Sequence, residues 1–388
     1  MEKEAVRMKR VAVFGATGSV ADSVLAVLRA NPDRFEVIGL AAGGGGAKFL
    51  ALAAEFPGAA LALADGGAAA GREFPDRRFF HGAGANQDLL DAVAADVAVL
   101  AISGAAGLPV AFAAARRGLR ILLANKEVLA SAGSLFLALA AANGAEVIPL
   151  DSEHSALHQC LRDRDPDAVE RLALTASGGP FRTWPVERIA EATPEDALNH
   201  PIWKMGPKIS VDSATLANKA LEVMEAHHLF SMPYQRILVL VHPQSAIHGM
   251  VEFRDGSWLA HLGRADMRLA AHYALFHPQV GENDLPRLNP LEFRQLTFEE
   301  PRNEAFPLLS MGVDAGKAGD RGAACFNAAN ERAVSLFLKR KLRFSGIAPA
   351  VAHALEREQG GEPASLDEIL DLHARAAAFV DEFARGSL

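Results

Sequence analysis

Two acidic residues follow a short apolar segment in the middle of the chain. Asp151 and Glu153 flank a serine directly after Val147–Leu150, and His154 comes next. If the extended backbone continues, the two carboxylates lie on the same side, because successive side chains of a strand alternate. Such oxygen ligands suit a hard cation such as Mg²⁺ or Mn²⁺, whereas zinc would more often recruit the histidine or a cysteine. A solvated acidic turn is the alternative interpretation.

A later helix could supply a third carboxylate. Asn218, Lys219 and Glu222 share one face of a predicted helix, because residues three and four positions apart are neighbours on its surface. Ser213 is predicted to cap the N-terminus of this helix. Apolar residues alternate with the polar face and would leave its edge half-buried, so Glu222 could complete a metal site. A solvated face with an ordinary ion pair is the alternative.

The first element that could position a ligand is a glycine-rich turn near the start of the chain. Residues 11–14 are predicted to form a strand, residues 15–21 the turn and residues 23–28 a helix. This order is typical of dinucleotide-binding proteins, in which the backbone approaches a pyrophosphate at the N-terminus of the helix. Ala21 stands at the third glycine position, where helix packs on strand. A tight turn in another α/β fold is the alternative.

Further strands and helices alternate after this turn. Strands are predicted over 35–40, 97–102, 120–123 and 146–150, and helices over 47–55, 86–95, 108–117 and 133–142. This alternation predicts a parallel, doubly wound sheet, which binds ligands beyond the carboxyl ends of its strands. Gly104–Gly107, Asn125–Glu127 and Asp151 each follow a predicted strand, so we expect them at the same edge of the sheet.

The loop after the second strand contains glycines and no acidic residue. An acid at this place commonly binds the ribose 2′-hydroxyl of NAD, so its absence from Gly43–Gly46 favours NADP. Lys48 is the nearest cation for a 2′-phosphate, and a solvated lysine at the start of a helix is the alternative.

Two polar stretches and one histidine in the second part of the chain could contact a substrate. Ser177–Phe181 forms a serine-glycine turn whose amides could bind a phosphate, although an ordinary loop would look similar. His200–Pro207 resembles a mobile flap, and the alternative is a surface loop on which Trp203 packs back. His248 is predicted to be either a pocket residue or a hydrogen-bonded core histidine.

Composition excludes several classes of protein. The 388 residues carry a net charge of −8, and their basic residues are scattered, which argues against a nucleic-acid partner. Two cysteines, Cys160 and Cys325, indicate neither a disulfide framework nor a thiolate metal site, so we expect a cytoplasmic protein. No secretory apolar segment and no run of 18 apolar residues occur, so we expect no membrane span.

These patterns predict an α/β protein with three domains. We expect a Rossmann-like doubly wound domain over residues 1–150 and a central α+β catalytic domain over 151–278, with a flap at about 199–208. Three prolines and few periodic apolar residues predict a linker over 279–306. A helical domain should follow over 307–388, with helices at 322–339, 344–356 and 365–383 and no chemistry of its own apart from Asn327 and Asn330.

Nine short motifs in order resemble the 1-deoxy-D-xylulose 5-phosphate reductoisomerase family over nearly the full length of the chain. The motifs are Gly15–Ser19, Ala124–Glu127, Asp151–His154, Thr175–Phe181, Trp203–Gly206, Val211–Thr215, Asn218–Glu222, His242–Ser245 and Phe326–Glu331. The resemblance implies a homodimer that uses NADPH and Mg²⁺ or Mn²⁺ in isoprenoid precursor synthesis. This chain departs from the family pattern at Gly44 and Gly45, where a basic and an amide residue are common. It also departs in the flap, where Lys204 and Pro207 stand in place of a small polar and a basic residue.

The resemblance also implies roles for individual residues. Asp151, Glu153 and Glu222 would bind the metal and, with Lys126, act in catalysis. The substrate would contact Ser152, Ser177, His200, Trp203, Met205, Ser213, Asn218 and Lys219, of which Ser177, Ser213, Asn218 and Lys219 would hold its phosphate. The cofactor would contact Gly15, Thr17, Gly18, Ser19, Val20, Gly43, Gly44, Gly45, Asn125, Glu127 and Gly206.

The implied reaction is a rearrangement followed by a reduction. The metal would chelate the carbonyl and a neighbouring hydroxyl of the ketose phosphate as a Lewis acid, and NADPH would reduce the resulting aldehyde to 2-C-methyl-D-erythritol 4-phosphate. Closure of the flap would exclude water from the aldehyde. A related oxidoreductase acting on another sugar phosphate and a non-catalytic sugar-phosphate sensor are the competing hypotheses.

Overall fold

The computed structural model describes residues 7–65, 71 and 73–386. Its strands are β1 Lys9–Phe14, β2 Phe35–Ala42, β3 Ala60–Leu63, β4 Phe79–His81, β5 Val97–Leu100, β6 Arg120–Leu123, β7 Glu146–Pro149, β8 Val169–Ala176, β9 Ile237–Val241, β10 Ile247–Phe253 and β11 Trp258–Leu262. Its helices, numbered within the described residues, are α1 Ser19–Ala30, α2 Ala47–Glu55, α3 Ala85–Ala92, α4 Leu108–Arg116, α5 Lys126–Ala142, α6 Ser152–Leu161, α7 Val186–Ala190, α8 Pro194–Leu198, α9 Pro207–Thr215, α10 Ala217–Phe230, α11 Met267–Phe276, α12 Leu308–Lys317, α13 Asp320–Leu338, α14 Ile347–Arg357 and α15 Leu366–Gly386.

Seven of the described strands form a parallel sheet in the order β4-β3-β2-β1-β5-β6-β7. The strand order reverses at β1, as it does in doubly wound folds. The predicted α/β fold class is therefore confirmed. β3 and β4 were missed by sequence reasoning, because runs of four and three residues are too short to show a period of two.

The chain divides into two compact units, and the parallel sheet belongs to the first. This unit comprises residues 1–125, 136–151 and 267–285. Its core consists of strand residues together with the buried faces of α1, α2 and α11. Phe276 of α11 meets Phe35 edge-to-face with ring centroids 5.3 Å apart, so a late segment of the chain completes the packing around the first strands.

The second unit comprises residues 126–135, 152–266 and 286–388. Its four described strands form a mixed sheet in the order β11-β10-β8-β9, in which only β8 and β9 run parallel. One continuous apolar core joins this sheet to α9, α10 and the helices α12 to α15. The rings of Phe181, Phe337 and Phe344 pack edge-to-face within it, at 5.2 and 5.6 Å.

This division differs from the predicted three domains. Residues 267–276, expected in the catalytic domain, pack in the first unit, and residues 307–388 share one core with the catalytic region rather than forming a unit of their own. The apolar faces of α12 and α13 need a partner to bury them, and periodicity cannot show which partner they find. The three predicted C-terminal helices are present within a few residues of their expected limits.

Residues 279–306 contain one short 3-10 helix and a single bridge between Glu299 and Val241. This agrees with the absence of periodic apolar residues in the segment. No helix in the described part of the chain is long and apolar enough to cross a membrane.

Candidate metal and substrate site

The two adjacent acids do not lie on an extended strand. β7 ends at Pro149, and α6 begins at Ser152, so the predicted continuation of the extended backbone is wrong. Glu153 instead lies in the first turn of α6, where a carboxylate is favoured by the helix dipole. The turn still brings carboxylate oxygens of Asp151, Glu153 and Glu222 within 4.8 Å of one another.

Glu222 lies in the middle of α10 and is 1% exposed. The shared face of Asn218, Lys219 and Glu222 is confirmed, because the side chains of Asn218 and Lys219 both donate hydrogen bonds to the Glu222 carboxylate. Ser213 is not the helix cap that the sequence suggested. It lies inside α9, and the chain turns between α9 and α10 at Leu216, whose φ is +59°.

Two lysines compensate the charge of these carboxylates. Lys219 Nζ lies 2.9 Å from Glu153 Oε1 and also donates to Glu222 Oε2. Lys126 Nζ, at the start of α5, lies 3.0 Å from Glu222 Oε1 and 2.9 Å from Asn218 Oδ1. Burial alone would lower the pKa of Lys219, but the two carboxylates outweigh burial and raise it. Lys219 therefore carries a positive charge at neutral pH.

The donor set suits a hard divalent cation. Asp151, Glu153 and Glu222 offer only oxygen, which Mg²⁺ and Mn²⁺ prefer. A second group, Asp151 with His154 and Glu225, includes a nitrogen donor. His154 Nε2, however, lies 2.8 Å from the backbone oxygen of Glu222 and so fixes the segment that carries the third carboxylate. His154 fits the role of an orienting residue better than that of a ligand.

The predicted phosphate turn contacts the predicted flap through a histidine. His200 Nδ1 accepts hydrogen bonds from the backbone N–H groups of Ile202 and Trp203, at 3.2 and 2.9 Å. The proton of the neutral ring is therefore on Nε2, which donates to Ser177 Oγ at 3.0 Å. Gly179 N–H donates to the same oxygen at 3.2 Å. With two hydrogen bonds accepted, the Ser177 hydroxyl keeps its own proton to donate to a ligand.

A glycine brings the phosphate turn close to α9. Gly179 has a φ of +69°, and a Cβ atom there would lie 2.6 Å from the backbone oxygen of Ser213. Only glycine permits this approach without a shift of backbone. Ser177 and Ser213, which the family resemblance assigns to one phosphate, thus lie on two segments that are in direct contact.

The segment 199–206 has neither helix nor strand. Trp203 is partly buried, and its ring centroid lies 6.3 Å from that of His248. His248 is itself buried and donates from Nε2 to the backbone oxygen of Gly263 at 3.2 Å, which agrees with a core histidine. Met205 is partly buried, and Gly206 caps α9.

The glycine-rich turn lies at the carboxyl end of β1 in the first unit. Gly15 has a φ of +85°, and a Cβ atom there would lie 2.4 Å from the backbone oxygen of Ala101. Gly18 caps α1 without a side-chain hydrogen bond, which leaves N–H groups of Ser19 and Val20 for a ligand. Beside this turn, Asn125 Nδ2 donates to Gly104 O at 3.0 Å. These features fit a bound pyrophosphate.

Gly43, Gly44 and Gly45 follow β2, the neighbour of β1 in the sheet. A side chain at Gly44 would meet no atom within 4 Å, so the backbone here is open to a ligand. Lys48 Nζ lies 2.7 Å from Asp22 Oδ2 and 2.8 Å from the backbone oxygen of Thr17. The lysine is therefore held beside the glycine-rich turn.

Sequence reasoning missed a second ionic cluster. Lys208 Nζ lies 2.8 Å from both Glu127 Oε1 and Asp212 Oδ2. Glu127, which was predicted to contact the cofactor, is thus bound to a lysine of its own unit. The spacing of four between Lys208 and Asp212 after Pro207 was the available signal, since it is typical of an ion pair on the first turns of a helix.

Known proteins resemble this chain over nearly its full length. A family model described as 1-deoxy-D-xylulose 5-phosphate reductoisomerase matches residues 11–133, and two models of C-terminal domains of that enzyme match 147–230 and 262–379. The reductoisomerase of Ralstonia nicotianae is 44% identical, covering 98% of this chain and 99% of the relative. That of Xanthomonas campestris pv. campestris strain 8004 is 49% identical, covering 95% of each. The chain belongs to the 1-deoxy-D-xylulose 5-phosphate reductoisomerase family.

Solved structures of this reductoisomerase family have the same fold. A reductoisomerase in complex with NADPH, fosmidomycin and magnesium gives a TM-score of 0.91 at 35% identity, covering 97% of this chain and 98% of the other. The Zymomonas mobilis reductoisomerase in complex with NADPH gives 0.89 at 38% identity, covering 97% and 99%. The family predicted from nine short motifs is confirmed.

The environment of His200 predicts its titration. Burial lowers the pKa of this imidazole to about 4, so it should be neutral, with the proton on Nε2, throughout the physiological range. Between about pH 6.5 and 4 the unfolded chain binds more protons at this position than the folded chain, so the stability His200 contributes at neutral pH is lost as the pH falls through that window. Histidine NMR should give a midpoint near 4.

The His200→Gln variant identifies the His200 signal, because that signal is missing from its histidine NMR spectrum. Ser177→Ala should leave the midpoint low, since burial and not the serine causes the shift. A midpoint near 6.5 in the unmodified protein would contradict the neutral tautomer.

Proposed function

We propose that this protein converts 1-deoxy-D-xylulose 5-phosphate to 2-C-methyl-D-erythritol 4-phosphate by a metal-dependent rearrangement and reduction with NADPH, a step in isoprenoid precursor synthesis. The observation that carries the proposal is the cluster of Asp151, Glu153 and Glu222 within 4.8 Å. Family membership adds the substrate. A purely structural cluster would not need three acids at one point, because buried like charges destabilise one another.

We propose different roles for the carboxylates and for Lys126 at the site. When bound, Mg²⁺ or Mn²⁺ supplies a Lewis acid for the substrate carbonyl. Asp151, Glu153 and Glu222 would hold the cation, and Lys126 orients the Glu222 carboxylate through a 3.0 Å contact between Nζ and Oε1. Lys126 also places a positive charge beside the place where negative charge develops on the substrate oxygens, which is the strongest general means of lowering such a barrier.

We assign the substrate phosphate to the surfaces of Ser177 and Ser213, supported by their contacting segments and by the free hydroxyl proton of Ser177. The side chains of Asn218 and Lys219 are hydrogen-bonded to the carboxylates of the metal cluster. We propose that they rotate away from these carboxylates to bind the substrate phosphate. Ser152, His200, Trp203 and Met205 complete the proposed substrate contacts, and closure of segment 199–206 excludes water.

Glu222→Gln tests the metal cluster. The amide keeps the shape but removes the charge that binds the cation and pairs with Lys126 and Lys219, so kcat/KM should fall by at least about 100-fold with the fold intact. The assay is NADPH oxidation with 1-deoxy-D-xylulose 5-phosphate after chelation and readdition of Mg²⁺ or Mn²⁺. Glu292→Gln, at an exposed ion pair with Arg264, is the matched control and should behave as the unmodified protein.

Two outcomes would count against the proposal, and they are distinct. No turnover by the unmodified protein with fresh Mg²⁺ or Mn²⁺ would reject the reaction itself. Unchanged kcat/KM in Glu222→Gln would reject only the ligand role of that residue.

We propose NADPH as the cofactor, bound by the first unit at Gly15–Val20, Gly43–Gly45 and Asn125. Lys48 is a candidate cation for the 2′-phosphate, because its Nζ is hydrogen-bonded to the backbone oxygen of Thr17. Its existing partner Asp22 is half-exposed, so this ion pair is weak and open to competition.

Lys48→Ala should therefore raise the KM for NADPH by about 10-fold and leave the KM for NADH unchanged, since loss of one exposed charge contact is worth on the order of 1 kcal/mol. Steady-state kinetics with both cofactors measure this. Lys317→Ala, at an exposed ion pair with Asp314, is the control. Equal preference for NADH and NADPH in the unmodified protein would refute the NADP assignment.

We propose that the protein is a homodimer through β11. β11 lies at the edge of its sheet and exposes Trp258, Leu259 and Leu262, at 41%, 37% and 44%. An edge strand with exposed apolar side chains is a template for pairing, and charges normally protect edges that stay single. A second copy of the same strand satisfies this edge symmetrically.

Sedimentation should give twice the chain mass of 41.1 kDa. Leu262→Lys, which places a charge on the edge, should shift the equilibrium towards the monomer. The matched control is Val280→Lys, at an exposed apolar residue of the first unit. If the unmodified protein sediments as a monomer at micromolar concentration, the proposed dimer is wrong.

We further propose a cytoplasmic location. Cys160 and Cys325 are both free thiols, which agrees with a reducing compartment.

A further inference from the structure

The C-terminal motif Phe326–Glu331 reaches the site through a buried chain of polar groups. Asn330, on α13, is fully buried, and its Nδ2 donates to Asp212 Oδ1 at 2.7 Å. Asp212 Oδ2 accepts from Lys208 Nζ at 2.8 Å, and the same ammonium donates to Glu127 Oε1 at 2.8 Å. Asp212 is 1% exposed and Glu127 6%. We call these four residues the Lys208 chain.

The Lys208 chain is held together by charge. Burial alone would lower the pKa of Lys208, but Asp212 and Glu127 outweigh burial and raise it above its ordinary value. Burial would likewise raise the pKa of Glu127, and Lys208 reverses this and lowers it. The ammonium and the Glu127 carboxylate thus both stay ionised near neutral pH. Removing the ammonium would leave two carboxylates buried without their counter-charge.

Glu127 directly follows Lys126 in the first turn of α5. Each of the two neighbouring side chains makes an ion pair with a different helix. Lys126 pairs with Glu222 on α10, and Glu127 pairs with Lys208 on α9. α9 and α10 are separated by Leu216 alone. The orientation of the Lys126 side chain is therefore fixed by its own contact with Glu222 and by the contact of the adjacent Glu127 with Lys208.

The next turn of α5 is also fixed by the C-terminal helices. Asn327 Nδ2 on α13 lies 3.0 Å from Ser131 Oγ, and His373 Nε2 on α15 lies 3.0 Å from the same oxygen. All three residues are buried. They hold the helix one residue before Ala132, where its backbone departs from helical geometry at φ −147° and ψ 23°. The first turns of α5 are thus clamped as a separate short segment.

We propose that Lys208, held by Asp212 and Asn330, is a positioning residue that fixes Lys126 against Glu222 through Glu127. The inference rests on the proposed function, since it assigns Lys126 a part in the reaction. It gives the C-terminal helices a role in the chemistry through Asn330, one of the two asparagines that the sequence set apart. The competing explanation is that the chain only stabilises the fold.

Lys208→Met removes the ammonium and keeps the length of the side chain. The expected result is a fall of about 10–100-fold in kcat with the KM for the sugar phosphate within about threefold, because loss of an outer partner displaces a reacting group without removing a substrate contact. Lys208→Arg, which retains the charge, should recover part of kcat. Lys317→Met, at an exposed lysine, is the control and should leave kcat and KM unchanged.

A double-mutant cycle with Lys126→Met separates positioning from stability. If Lys208 acts through Lys126, adding Lys208→Met to Lys126→Met should reduce kcat by less than about threefold further, measured in single-turnover NADPH oxidation at high enzyme concentration. A full second loss, so that the two effects multiply, would overturn the proposal. Full activity of Lys126→Met alone would instead reject the proposed role of Lys126, so the two failures are distinguishable.

Asn330→Ala keeps the inference testable if Lys208→Met does not fold. It removes one hydrogen bond from Asp212 and leaves the three charges in place. A folded Asn330→Ala protein should show a fall of about 3–10-fold in kcat, with KM unchanged and the loss again absent in the Lys126→Met background. A folded Asn330→Ala protein with unaltered kcat would overturn the proposal.

Discussion

The buried carboxylate of Glu222 is the group on which the site depends. It is 1% exposed and receives hydrogen bonds from Lys126, Lys219 and Asn218. An ionised carboxylate in such a place is tolerated only when it is paired and hydrogen-bonded. The pairing forces the start of α5 and one face of α10 together, so the same interaction stabilises the fold and assembles the chemistry.

Close approaches of small residues allow this pairing. A Cβ atom at Gly312 of α12 would lie 2.6 Å from Ala220 Cβ, so α12 packs tightly against the helix that carries Glu222. Gly179 approaches the backbone of Ser213 in the same way. Rigid packing on both sides of α9 and α10 leaves the polar face of α10 little freedom, and catalytic groups need such preorganisation.

Much of the first unit could be predicted from sequence, because its signals are local. Strands such as Val97–Leu100 and Arg120–Leu123 alternate with helices, and the parallel sheet follows from that order. The predictions that failed needed information from distant residues. Glu153 was expected on an extended backbone but lies in the first turn of α6, Ser213 lies inside α9, and the C-terminal helices share a core with the catalytic region.

The sequence by itself determined the family, the α/β class and the three acids that could bind a cation, since residue type, spacing and strand order are all written along the chain. Tertiary structure decided which charges meet. Glu127 was expected at the cofactor, yet its carboxylate is bound to Lys208, 81 positions later. Asn330 likewise reaches Asp212 from a helix 118 positions away. Pairings over such separations arise only when the apolar cores bring the segments together, and no local pattern encodes them.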